Sequence, residues 1–142
     1  MLDIFEKVYV FIDVVCRSLY IKYSHTDSKT NRWIYTLPTE IFAAPAQNPD
    51  NIGFCPDGVC SKSGVLNVTK CAQLQTGMGA PIFMSQPHFL NADKSLVDAV
   101  TGMAPDKARH DTYLNIDPIT GFISDAAKRF QINIYTTNGM LV

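Results

Sequence analysis

The residues of this chain whose types could do chemistry are four cysteines, one glycosylation acceptor, three histidines and a basic pair. Cys16, Cys55, Cys60 and Cys71 make an even count, which allows three disulfide connectivities. Cys55 and Cys60 bracket Pro56-Asp57-Gly58-Val59, a turn-forming sequence that can fold the chain back within bridging distance. Pairing those two leaves Cys16 with Cys71. In the chain-entropy picture the short loop contributes about 2 kcal/mol and the long one about 4. A zinc site joining Cys55, Cys60 and Cys71 to His88 is the competing reading. It suffers because structural zinc sites usually pair short spacings at both ends, and the second half here lacks one. Asn67-Val68-Thr69 is an N-glycosylation acceptor without a proline in its middle position. Cysteines that can pair and an acceptor lying among them together point to a lumenal or extracellular face.

His110 has Asp111 beside it and Asp106 one helical turn upstream. Histidine titrates in the range that separates neutral from acidic compartments, so His110 is the candidate pH sensor. A surface histidine in a polar turn is the plainer alternative. Lys128-Arg129 reads either as a contact for an anionic head group or as a solvated pair. No nucleophile elbow, P-loop or HExxH pattern is present, and Gly77 and Gly79 do not complete a dinucleotide fingerprint. These searches point to a non-enzymatic protein with no metal or cofactor.

The elements that must position these residues read mainly as β structure. Val8, Val10 and Ile12 alternate with Tyr9, Phe11 and Asp13, and Leu19, Ile21 and Tyr23 alternate with Tyr20 and Lys22. Residues 24–32 are a solvated loop, with a return strand over 33–37 and one short helical turn after Pro38. From 44 to 62 the chain is rich in Pro, Asn, Asp and Gly and reads as irregular, held by the small disulfide. A strand is expected over 80–85. Asp93 caps a short helix reaching Val100, with Gly102 as its stop. Thr112 to Ile116 alternates again and runs into Asp117-Pro118-Ile119-Thr120-Gly121, a turn sequence. Ser124 to Arg129 is helix-friendly, yet Phe130, Ile132 and Ile134 alternate with period two. The segment therefore reads as two consecutive strands or one long bent strand.

The chain has 142 residues and a net charge of −1, enough for one domain and without the concentrated basic surface that nucleic-acid binding needs. Charged residues are 18% of the chain against about 25% in ordinary soluble domains, so some apolar surface is expected to face something outside it. No apolar run approaches the roughly 20 residues of a membrane-spanning helix. Asp3, Glu6 and Lys7 do not suit a signal peptide.

Four stretches, "KVYVF…CRSLYI", "GFCPDGVC…SGVLNVTKC", "GAPIFMSQPHFLNAD" and "HDTYLNIDPITGFISDAAKRFQINIY", resemble the class B scavenger receptors in order from Lys7 to Tyr135, most nearly the lysosomal membrane branch. The resemblance implies an antiparallel β-barrel-like ectodomain between two membrane helices. A helical bundle would cap it and an apolar tunnel would pass lipids such as cholesterol or fatty acids. It also implies pairing of Cys16 with Cys71 and of Cys55 with Cys60, a glycan on Asn67, and apolar faces on Phe130, Ile132 and Ile134, or on Val8 and Val10, that either line the lipid tunnel or are covered by further strands of the barrel. The chain departs from the family pattern at Ile12-Asp13-Val14-Val15 and in the longer "AQLQTGM" after Cys71, and it stops at "TTNGMLV".

Residues 1–142 are accordingly expected to form part of such an ectodomain, mainly β with short helices and incomplete as a barrel, without membrane helices or apical bundle. It would belong to a lipid-binding receptor on the lumenal side of the lysosomal membrane or the outer face of the plasma membrane. A lysosomal glucosidase would be a partner of the full receptor only. The alternatives are a soluble truncated interaction module on the same scaffold, or a truncated product without function.

Overall fold

The computed structural model describes residues 4–12, 15–77 and 81–136. Asp13, Gly79 and Ala80 of the sequence reading lie outside those residues. Eight strands are described: β1 (Lys7–Ile12), β2 (Arg17–Thr26), β3 (Trp33–Thr36), β4 (Val65–Asn67), β5 (Ile82–Ser85), β6 (Tyr113–Ile116), β7 (Ile123–Ala127) and β8 (Gln131–Ile134). Three short helices accompany them, α1 (Thr69–Thr76), α2 (Lys94–Asp98) and α3 (Lys107–His110).

The strands form two antiparallel sheets, one of five strands in the order β1-β2-β3-β6-β7 and one of three in the order β4-β5-β8. The larger sheet curls into an open half-barrel. Period-two alternation sets its two faces. Val8, Val10, Leu19, Ile21, Tyr23, Trp33, Tyr35, Leu114, Ile116 and Ala126 share the concave face through the pairings Val8↔Ile21, Val10↔Leu19, Tyr23↔Tyr35, Tyr35↔Leu114 and Leu114↔Ala126, with Trp33↔Ile116 beside them. The convex face carries Lys7, Tyr9, Tyr20 and Lys22, with both lysines over the Tyr20 ring at 4.8 and 5.7 Å. Lys22 also donates to Glu40 at 2.7 Å, and this bond is the main reason the Glu40 carboxyl sits below its ordinary pKa.

Leu66 from β4 and Ile82 and Met84 from β5 join Val68 and Ala72 in packing against the lower half of that concave face. Ile41 and Phe42, from a short 3-10 turn over Thr39–Phe42, close the core between the sheets. The irregular loop after them is fastened by a buried asparagine. Asn51, 1% exposed, donates through its amide to the carbonyls of Ile41 and Ala43 and accepts from the Arg17 guanidinium at 2.9 Å.

The turn after β6 forms as its residues require. Asp117 accepts from the amides of Ile119 and Thr120, both at 2.9 Å, and Gly121 takes the positive φ of 74°. The segment that follows is two strands, in different sheets. β7 pairs with β6 in the half-barrel, the chain breaks over 128–130, and β8 pairs with β5. Asp93 caps α2 through the Ser95 amide, but the helix ends at Asp98, short of Val100. Strand β4 and helices α1 and α3 are additions to the sequence reading. None is longer than 8 residues, and short elements leave little periodicity to detect.

Candidate functional site

Where the smaller sheet does not reach, the concave face stays open as a groove of about 360 Å³. Val8, Val10 and Ile12 form one wall, Leu19 and Ile21 the floor, and Leu114, Ile123 and Ala126 the other wall. Phe130 closes one side, its ring 6.1 Å from that of Phe42. The volume falls at the low end of the roughly 300–1,000 Å³ typical of small-molecule sites. The lining residues that carry polar groups are Tyr9, Thr112, Tyr113 and Lys128. The Thr112 hydroxyl is already committed, donating to the Arg129 carbonyl at 3.1 Å and accepting from the Arg129 amide at 3.0 Å. Lys128 is exposed where the groove meets solvent.

The sequence reading placed Phe130, Ile132 and Ile134 on one lipid-facing strand. The structure puts Phe130 in the groove and the two isoleucines outside it. Both belong to β8 in the second sheet, opposite Met84 and Ile82, and are 51% and 62% exposed. The sheet switch at 128–130 separates them, and alternation within one strand cannot reveal such a switch. Of the basic pair, Arg129 is consumed internally. It donates to the Asp111 carbonyl at 2.8 Å and lies over the Tyr113 ring at 5.3 Å.

Both bridges are present. Cys16–Cys71 ties the entry of β2 to α1 with Cα atoms 5.8 Å apart, and Cys55–Cys60 closes the small loop at 4.3 Å. This overturns the zinc alternative, because the cysteines it needed are held in the two disulfides, and His88 stacks on His110. Among the described residues no group of three potential metal ligands occurs. Asn67, in β4, alternates with the inward Leu66 and Val68 and so faces away from the core. Its side-chain oxygen accepts from the Thr69 amide at 3.1 Å.

His110 is not a lone surface histidine. Its ring stacks on that of His88, with centroids 4.4 Å apart and planes within 7°. The Nδ1 of His110 accepts from the Asp106 amide at 3.0 Å, and that of His88 from the Ala104 amide at 3.1 Å. Burial, followed by His88 and then Arg109, lowers the His110 pKa, and Asp106 opposes them. Behind the pair, Gln86 is buried and donates to Asp111 at 3.2 Å while accepting from Asn91 at 2.9 Å. Burial raises the Asp111 carboxyl above its usual range. Sequence reasoning considered His88 only as a metal ligand, took Asp111 only as an acidic neighbour of His110, and passed over Asn51 and Gln86. Their partners are distant along the chain, and nothing local announces them.

A sequence model of the CD36 family matches residues 1–140. Human lysosome membrane protein 2 is 48% identical over 133 residues, covering 92% of this chain and 26% of that protein. Scavenger receptor class B member 1 of Rattus norvegicus is 38% identical over 127 residues, covering 88% of this chain and 23% of the relative. Sensory neuron membrane protein 2 of Heliothis virescens is 37% identical over 142 residues, covering 93% and 26%. The chain thus spans about a quarter of the length of these relatives. No described helix is long and apolar enough to cross a membrane. With nearly its whole length matched by the family and both bridges in place, the chain belongs to the CD36 family.

Proposed function

We propose that this chain is part of the ectodomain of a membrane-anchored scavenger-type receptor, and that its half-barrel groove holds the acyl or sterol part of a lipid without chemical conversion. The observation that carries this reading is the groove itself, an open concave surface lined mostly by Val, Ile, Leu, Ala and Phe side chains. Apolar surface of that kind left open to water marks a binding site. Lys128 at the mouth is placed to meet a carboxylate, which favours fatty acids over neutral sterols. Two relatives are named as a lysosome membrane protein and a scavenger receptor, which supports a site on the lumenal side of the lysosomal membrane or the outer face of the plasma membrane. The disulfides and the outward-facing Asn67 acceptor suit either place.

The test is titration of the secreted, oxidised chain with a fluorescent long-chain fatty acid. Replacing Ala126 by Trp fills the groove from one wall, and binding should weaken at least about tenfold, or about 1.4 kcal/mol. Binding that survives Ala126→Trp unchanged moves the site away from the groove. An absence of binding by a well-folded parent chain favours an interaction module on the same scaffold.

A further inference from the structure

His88 and His110 meet where the two sheets join, and both rings use Nδ1 as an acceptor for a main-chain amide. An accepting Nδ1 carries no proton, so each neutral ring keeps its proton on Nε2. An imidazolium has N–H on both nitrogens. Protonating either ring therefore turns its bond to Ala104 or Asp106 into a clash of two donors, and sets positive charge 4.4 Å from its stacked neighbour.

The surroundings offer little to offset that charge. Asp106 is the one nearby carboxylate that favours it, and Asp106 is already engaged by Arg109 at 2.8 Å and by the first amides of α3. Arg109 and Arg129 both act against protonation of His110. Lys107 faces Asp111 rather than the rings, and Asp111 is held by Gln86 and by the Thr112 amide.

What the pair holds is a turn that needs holding. His88, Phe89 and Asn91 all have positive φ, at 54°, 55° and 60°, a conformation costly for residues with a Cβ. His88 fixes the turn on one side through Ala104, and its own amide donates to Gln131 at 2.9 Å on the other. His110 is followed directly by Asp111 and Thr112, and Thr112 is part of the groove wall.

We propose that His88 and His110 form a proton-released latch. With His110 neutral and stacked on His88, it holds the 86–91 turn against residues 104–112; when His110 takes up a proton in acid, it parts and loosens both. The fold favours the neutral form of His110, so the stability it lends is complete above the ordinary histidine value of about 6.5 and is lost as pH falls below it. That the loosening reaches a bound lipid rests on the groove reading above, whereas the latch itself does not.

The test is amide hydrogen exchange on the full oxidised chain without lipid, at about pH 7 and about pH 5, corrected for intrinsic rates. The Ala104 and Asp106 amides should lose at least about tenfold of their protection at the lower pH, while Met84 in β5 keeps its own. His110→Gln supplies an acceptor that does not titrate and should hold Asp106 equally at both values; His88→Gln should do the same for Ala104. His110→Phe keeps a stacking ring, and near-ultraviolet circular dichroism checks the fold of each variant. Protection in the parent chain that does not change with pH overturns the proposal. So does a parent-like loss in both glutamine variants. Neither result bears on fatty-acid titration, so the latch and the groove fail separately.

Discussion

At the scale of single residues, this fold depends on a few side chains buried among backbone groups that would otherwise have no partner. Asn51 joins the 3-10 turn below the core to β2, and Gly64 makes a closer approach. The Gly64 amide donates to the Phe42 carbonyl at 2.6 Å, its φ is 97°, and a Cβ there would overlap both Cα and Cβ of Ala92. Gly64→Ala should destabilise by about 2–3 kcal/mol, read from the urea midpoint of the oxidised chain, because the neighbour is backbone and cannot swing aside. Gly121→Ala carries the cost of a left-handed conformation. These roles differ in how far the sequence reveals them. Gly121 is legible because its turn lies within five neighbouring residues. Gly64 and Asn51 are not, because the groups they meet come from segments whose approach only the folded chain creates.

At the scale of elements, the two bridges perform unequal work. Cys55–Cys60 closes a separation of 5 residues and Cys16–Cys71 one of 55. Replacing the second pair with serines should cost about 4 kcal/mol and the first about 2, as the entropy of the unfolded loop dictates. The comparison to make is chemical denaturation of the two double variants side by side. Strand patterns were legible wherever buried and less buried residues alternate, as in β2 and β3. The sheet to which a strand belongs was not. Ile123 to Ile134 alternates on both sides of the break, and only the Thr112–Arg129 bonds and the β5 register show that β8 has crossed to the smaller sheet. Phe130 is separated from Ile132 and Ile134 for that reason. The groove is built by the neighbours of Phe130 in space, several of which lie far upstream in sequence.

At the scale of the whole molecule, the described sheets end in open edges, at β1 and β7 in the larger and at β4 and β8 in the smaller. Ile132 and Ile134 stand exposed on one of those edges. Unpaired apolar edges invite pairing with further strands. The chain taken alone should therefore associate as its concentration rises, and Ile132→Lys should reduce that association without altering the near-ultraviolet spectrum. Sedimentation at a series of concentrations would show it. Loss of the parent's association in the lysine variant locates the sticky edge at β8, and unchanged association points to β1, β4 or β7.

The pairing of β3 with β6 has a kinetic consequence as well. Trp33–Thr36 waits for Tyr113–Ile116, and two of the three strands of the smaller sheet, β4 and β5, are encoded between them. A chain emerging stepwise under oxidising conditions can fold its first hairpins early and close Cys55–Cys60 locally. The half-barrel can be completed only after β6 has emerged. Contacts of such long sequence separation slow folding. Until then the open side of β3 is the place where folding assistants would be most needed, and a nascent chain arrested before Tyr113 should remain bound to them.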